Sequence, residues 1–275
     1  MVVGPVVAAR YVPVAEVGYL LLGISVLNVC GTAANPLNSV LLSKISMMLA
    51  QGRESESREC ASHLLSAALP LGLFSCVQLL IFTDVFVLAL VGPRFMAGIP
   101  VIRILAAAIP FFLAYTSLRS LVDAASIKPY NAGNTAIALA LFCLLLALEV
   151  WFVPRTWLIE AFAVALLLAM VLLAILTTHS AQTLFQLRVQ WTPLAMSSAG
   201  ALVLGGLSLG VRAVEGFTTN VAAGLLIATT SSVLFGAYLF VIKSPWLMFL
   251  CRTLSTRKER EYRAASAPLE AAGDD

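Results

Sequence analysis

Seven runs of about 20 or more mostly apolar residues, divided by short segments that carry Pro, Gly or charge, constrain this chain more than any other feature. They lie at about 17–41, 64–91, 101–125, 134–153, 157–178, 193–213 and 219–242. A helix rises 1.5 Å per residue, so each run can cross a hydrocarbon core about 30 Å thick. Lipid offers the backbone no hydrogen bonds, and a run of this length satisfies its own only as a helix. The expected fold is all-α, a polytopic transmembrane helix bundle of about seven spans over residues 17–243. Residues 1–16 are expected as a residual span end and outer loop, and 244–275 as a largely disordered cytoplasmic tail.

Composition excludes the soluble alternative. Of 275 residues, 60% are hydrophobic and 11% charged, where a soluble domain has about 25% charged. One core could not hide that much apolar surface. The net charge of +3 creates no field for nucleic acid. Cys30, Cys60, Cys76, Cys143 and Cys251 contain no CxxC pair, and His63 and His179 stand far apart near span ends as surface residues. No disulfide framework, metal site or cofactor is expected from these. No loop exceeds about 20 residues, too little to carry catalytic groups on a loop, so an enzyme is not expected.

The first nine residues, MVVGPVVAA, are apolar but no basic residue precedes them, which argues against a signal peptide. They read as the end of a span, and the chain is expected to be part of a longer one. If the turns after the first, third, fifth and seventh spans are cytoplasmic, eleven Lys and Arg residues lie inside: Lys44, Arg53, Arg58, Lys128, Arg188, Lys243 and five in the tail. Arg10, Arg94, Arg103, Arg155 and Arg212 lie outside. That bias predicts an external N-terminus and a cytoplasmic C-terminus. Trp151, Trp157, Trp191 and Trp246 fall at span ends, where indoles favour the headgroup zone.

Polar residues inside the runs are the candidate functional groups. Asn28, Thr32, Asn35 and Ser39 recur on one helical face with Asn38 beside them, and Pro36 predicts a kink among them. The face either lines a hydrated cavity or makes interhelical hydrogen bonds. Tyr115, Arg119 and Asp123 share a face of the third span, with Pro110 as a second kink. Arg119 and Asp123 either meet a substrate or form a structural pair, since a charge in the bilayer needs a partner or water. Arg103 is expected to snorkel outward, and Asp84, Glu149 and Glu160 to be solvated rim carboxylates. Gly206, Ser208 and Gly210 spell a nucleophile-elbow pattern with no later His; their GxxxG spacing favours close helix packing instead.

The run ARYVPVAEVGYLLLGISVLN, a Pro-containing span, the hairpin AQGRESESRE, then LVGPRFMAGIPVIRILAAAIPF and LRSLVDAASIKPYNAG carry a further signal. Over residues 5–145 this order resembles the C-terminal half of polysaccharide flippases, the O-antigen and exopolysaccharide translocases of the multidrug/oligosaccharidyl-lipid/polysaccharide exporter superfamily. The matching positions are Gly18, Tyr19, Pro36, Gly52, Arg58, Gly92, Phe95 and Ala97. The resemblance implies one lobe of a two-lobe transporter in the bacterial inner membrane, moving a polyprenyl-diphosphate-linked glycan among membrane lipids. A missing N-terminal lobe or polysaccharide assembly proteins would be its partners.

A diphosphate-linked glycan needs a hydrated, cation-lined groove open to lipid. Arg119, with Lys44 and Lys128 near the inner mouth, would meet the diphosphate. Two alternatives are a cation-coupled multidrug exporter of the same superfamily, with Asp123 as its carboxylate, and a non-transporting membrane subunit of a polysaccharide assembly complex.

Overall fold

The computed structural model describes residues 3–125, 128–185, 191–213 and 221–241, without the side chains of 33–44, 49, 54, 60, 64, 191 and 193. The expected tail, 244–275, lies outside the described residues, as does Pro36 as a source of bending. Among the described residues the fold is all-α. In order, α1 is Val3–Tyr11, α2 Val14–Ala50, α3 Glu54–Leu90, α4 Ile99–Ala106, α5 Ile109–Ala125 and α6 Tyr130–Phe152. Then come α7 Leu158–Phe185, α8 Trp191–Ala213 and α9 Val221–Val241. Short 3-10 turns at Pro93–Gly98 and Arg155–Trp157 lead into α4 and α7. Among the described residues six helices are long and apolar enough to cross a membrane, and the bent pair α4–α5 makes a seventh span if taken as one.

Two elements differ from the sequence reading. The hydrophilic stretch 42–63, expected as a loop, is almost wholly helical, because Leu, Met, Lys, Glu and Arg are good helix formers and continue α2 and α3 past the apolar runs. At 37 residues α3 is about 55 Å long, well beyond a hydrocarbon core. The expected single span 101–125 is broken: α4 and α5 meet at 47° around Ala107–Ala108, with Pro110 in the first turn of α5, where its missing N–H costs no helix bond. Residues 3–11 form a helix, with Gly4, Pro5 and Ala8 buried against the bundle.

The turn between α2 and α3 ends with Arg53 N–H donating to Met48 O at 2.9 Å, the six-to-one closure that needs a left-handed residue before it. Gly52 supplies it, at φ +69°. Gly52→Ala is expected to cost about 1–2 kcal/mol, the penalty a side chain pays in that region, and to lower the thermal unfolding midpoint in detergent. Gly133→Ala, in the open interior of α6 where a Cβ meets nothing within 4 Å, is the control and should raise the midpoint slightly.

We call the two ends of the bundle after Gly52 and Gly92, the glycines of its α2–α3 and post-α3 turns. Helix α5 packs against α2, α3 and α7, and α6 packs along α7. Ala163, Ala165, Ala169, Ala174 and Ala181 give α7 a small-residue surface for close approach, while Phe112 and Phe162 fill the core. Helices α2 and α4–α5 run parallel, since a Cβ on Gly23 would meet Leu105 and one on Gly31 would meet Phe112. The last two helices pack on α3 and on each other.

Buried and exposed positions revise several expectations. Gly206 and Gly210 face open space; α8 instead approaches α3 through Gly205, whose Cβ would stand 2.2 Å from Val77 Cγ1. Position 205 wins because it falls on the buried face of α8, which 206 and 210 do not. Asp84 is paired with Arg212 of α8 rather than solvated, both side chains being largely buried. His63 is also largely buried, 3.5 Å from Glu59 one turn earlier. Glu149 and Glu160 are partly buried, each with one buried carboxylate oxygen lacking a hydrogen bond among the described residues. Trp151 and Trp157 are exposed on either side of the α6–α7 turn, as interfacial indoles would be.

Candidate functional site

At the Gly52 end, the last turns of α5 meet the first turn of α6 and the end of α7. The two spacings that matter are local. Arg119 and Asp123 stand i and i+4 on α5, and Asn131 and Asn134 stand i and i+3 at the start of α6.

Arg119 Nε lies 3.8 Å from Asp123 Oδ2, too far for a hydrogen bond but close enough for attraction. Both side chains are half-exposed, at 60% and 51%. The terminal guanidinium nitrogens of Arg119 donate to no described residue. Among the described residues the five donors of this planar fork carry one loose ion pair, a donor set that suits an anion.

Asp123 is held from the other side. Asn131 Nδ2 donates to Asp123 Oδ1 at 2.6 Å and to the Arg119 carbonyl at 2.8 Å. Both partners are acceptors, so the amide nitrogen must face them. Asn131 is buried, and its own Oδ1 has no partner among the described residues. One turn on, Asn134 Nδ2 donates to Ser180 Oγ at 3.0 Å, and Ser180 donates to Leu176 O at 2.9 Å. Thr177, fully buried nearby on α7, also leaves its hydroxyl oxygen unbonded. A polar seam thus runs from Asp123 into the α6–α7 contact.

Removing Asn131 strips one donor from two acceptors at once. Asn131→Ala is expected to destabilise the protein by about 1–3 kcal/mol, the usual cost of leaving a buried hydrogen-bonding group unpaired. Thermal unfolding in lipid nanodiscs checks this, and Asn131→Asp should be no better because it places a carboxylate against Asp123 and a carbonyl.

Tyr115 parts company with Arg119 and Asp123 although the three share a helical face: it is buried in the main core, because α5 leaves that core over its last two turns. Lys128 is exposed in the α5–α6 connection, close in sequence to the site. Arg103 is exposed on α4, toward the opposite end. On α2, Asn28 and Thr32 are exposed with Ser25, and the hydroxyls of Ser25 and Thr32 turn back to the carbonyls of Leu21 and Asn28 at 2.8 Å. The side chains of Asn35, Asn38 and Lys44 lie outside the described residues. The pairing of Gly31 with Phe112 places Arg119 about level with backbone position 38 of α2.

Sequence reasoning passed over Asn131, Asn134 and Ser180. The i, i+3 pair of amides at the head of an apolar run was the available signal, but KPYNAGN also reads as a turn.

No family model, curated protein or solved structure matches the chain.

Proposed function

We propose that the chain is a lobe of an integral membrane transporter that exports lipid-linked oligosaccharide or polysaccharide across the bacterial inner membrane. In this reading the Gly52 end faces the cytoplasm and the N-terminus lies outside, as the Lys and Arg bias directs. The observation that carries the reading is Arg119. It is a half-exposed guanidinium on an apolar bundle, braced through its backbone by a buried amide and with its terminal nitrogens bonded to none of the described residues.

A diphosphate offers paired anionic oxygens in the geometry a guanidinium fork accepts. Arg119 would bind that group at the inner mouth, with Lys128 adding charge and Asp123 keeping the guanidinium from collapsing onto the helix. The exposed amide of Asn28 gives α2 a polar face that hydrocarbon cannot solvate, flanked by the hydroxyls of Ser25 and Thr32, which bond their own helix. That face suits a groove through which sugars pass, while the polyprenyl chain stays in lipid. Rocking of two lobes about the groove would alternate access.

The test is depletion of the protein in its native host. The expected result is loss of surface glycan with accumulation of its polyprenyl-diphosphate precursor on the cytoplasmic leaflet. Normal surface glycan in depleted cells overturns the reading. One observation favours a second reading, that of a non-transporting subunit of an assembly complex: Gly206 and Gly210 present an open small-residue face on α8 to which another helix could pack. Cross-linking from Leu207, which is exposed beside them, would then capture a polysaccharide assembly protein while glycan precursors still reach the outer leaflet without the chain.

A further inference from the structure

The α3 helix is not continuous. At Phe82 its backbone leaves helical geometry, at φ −106° and ψ 16°, and two helical pieces meet there. No proline stands at that point, the only one inside α3 being Pro70, three turns earlier. A helix also bends where a Ser or Thr hydroxyl bonds back to the carbonyl one turn earlier, as Thr83 does to Leu79 O.

On one side of α3 lie α8 and α9, which contact α3 and each other, while among the described residues no other helix makes more than an incidental contact with either; α4 packs on α3 as well. Helices α8 and α9 grip α3 on both sides of the break. Before it, Gly205 of α8 closes on Val77, and Phe235 of α9 stacks on Phe74 at 4.2 Å between ring centroids. After it, Gly224 of α9 closes on Val85, and Arg212 of α8 bonds Asp84. The hairpin is a splint across a broken helix.

The polar contacts concentrate at the same place. The Arg212 guanidinium lies over the Phe82 ring, 5.5 Å from its centroid, as well as meeting Asp84 Oδ2. The Thr83 hydroxyl donates to Leu79 O at the break. Below it, Gln78 Nε2 reaches Ser208 Oγ at 3.5 Å. The apolar contacts are non-directional and allow sliding, whereas the ion pair between largely buried side chains has one geometry.

We propose that the Phe82 break is a hinge in α3 and that the Asp84–Arg212 pair is the catch that holds the segment beyond it closed against the α8–α9 splint. The segment it holds, Thr83–Leu90, leads into the Pro93–Gly98 turn. That turn reaches α2 through Phe95, whose ring meets Tyr19 edge-on at 5.9 Å, and through Gly98, packed on Tyr19. Opening the catch therefore moves the Gly92 mouth of the bundle and leaves the Arg119 site, at the other end, in place. Because the catch pairs two charges across two helices, its state is set by whatever competes for either charge.

The experiment uses the full chain in lipid nanodiscs, with its cysteines replaced by serine and spin labels at the exposed positions Leu88 and Leu226. The parent should give one narrow distance distribution. Asp84→Asn and Arg212→Gln should each shift and broaden it, and the swap Asp84→Arg with Arg212→Asp should restore the narrow one. An unchanged distribution in the neutral variants overturns the proposal, as does a folded swap that stays broad. If the neutral variants do not accumulate, the swap decides alone: recovery with the narrow distribution supports the catch, and failure to recover rejects it.

Discussion

Arg119→Glu is expected to abolish glycan export while the protein remains folded in the membrane at its normal level. The pair it breaks is loose, at 3.8 Å, and more than half-exposed on both sides. Such pairs contribute about 0–1 kcal/mol, and a like-charge i, i+4 pair in its place costs only a few tenths, about 0.2–0.5 kcal/mol. Loss of function without loss of protein would therefore report on the guanidinium itself. Arg119→Lys keeps the charge but not the fork and should retain part of the export, since an ammonium meets a diphosphate as a point charge. Asp123→Asn tests the drug-exporter alternative separately, because proton-driven efflux that survives it excludes this carboxylate from coupling. Undiminished glycan export in the Arg119→Glu strain, with the protein present by immunoblot, removes the residue from the mechanism.

The largest effect on folding is expected at Gly72→Val. A Cβ at Gly72 would lie 2.6 Å from the Pro110 Cα and 3.2 Å from its nitrogen. Those are backbone atoms and cannot turn aside as a side chain does. The contact also sits in the most extensive helix pair of the bundle, α3 on α5, beside the bend that Pro110 begins. Overpacking a core costs about 1–3 kcal/mol, occasionally more, and here the two helices must separate to accept even a methyl group. The variant should lose most of its folded, monodisperse yield in detergent, with Gly72→Ala intermediate. Gly206→Val and Gly210→Val should fold normally, because a Cβ at either meets nothing within 4 Å. Normal recovery of Gly72→Val would mean that α3 and α5 do not approach as closely as this.

How much of the site was legible follows from the same distinction between local and distant contacts. Arg119 and Asp123 announce their proximity by i, i+4 spacing, and they do face each other. Their spacing from Tyr115 announced a common stripe as well, yet burial divides it, since a helical face says nothing about where along its length the core ends. Asp84 and Arg212 stand 128 positions apart and no pattern connects them. The sequence reading left Asp84 as a solvated rim carboxylate and Arg212 among the outside basic residues, and only the packing of α8 on α3 joins them.

The glycines show the same limit. Gly206 and Gly210 have the spacing of a packing motif and stay open, while Gly72, Gly23 and Gly31, which form no such motif, carry close approaches. Likewise Pro110 marked the bend of α4 against α5, whereas the break at Phe82 has no proline and only the Thr83 hydroxyl, bonded back to Leu79 O, beside it.

By itself the sequence determined that the chain is a bundle of about seven apolar helices, and nearly where each one runs. Hydrocarbon permits one backbone solution for 20 apolar residues, so length and apolarity suffice. The tertiary structure decided which face of each helix is buried, where α3 and α4–α5 break, and which charges meet. Helices that are apolar on every side carry no stripe to fix their rotation, and their partners are chosen by the shape of surfaces far apart in the chain.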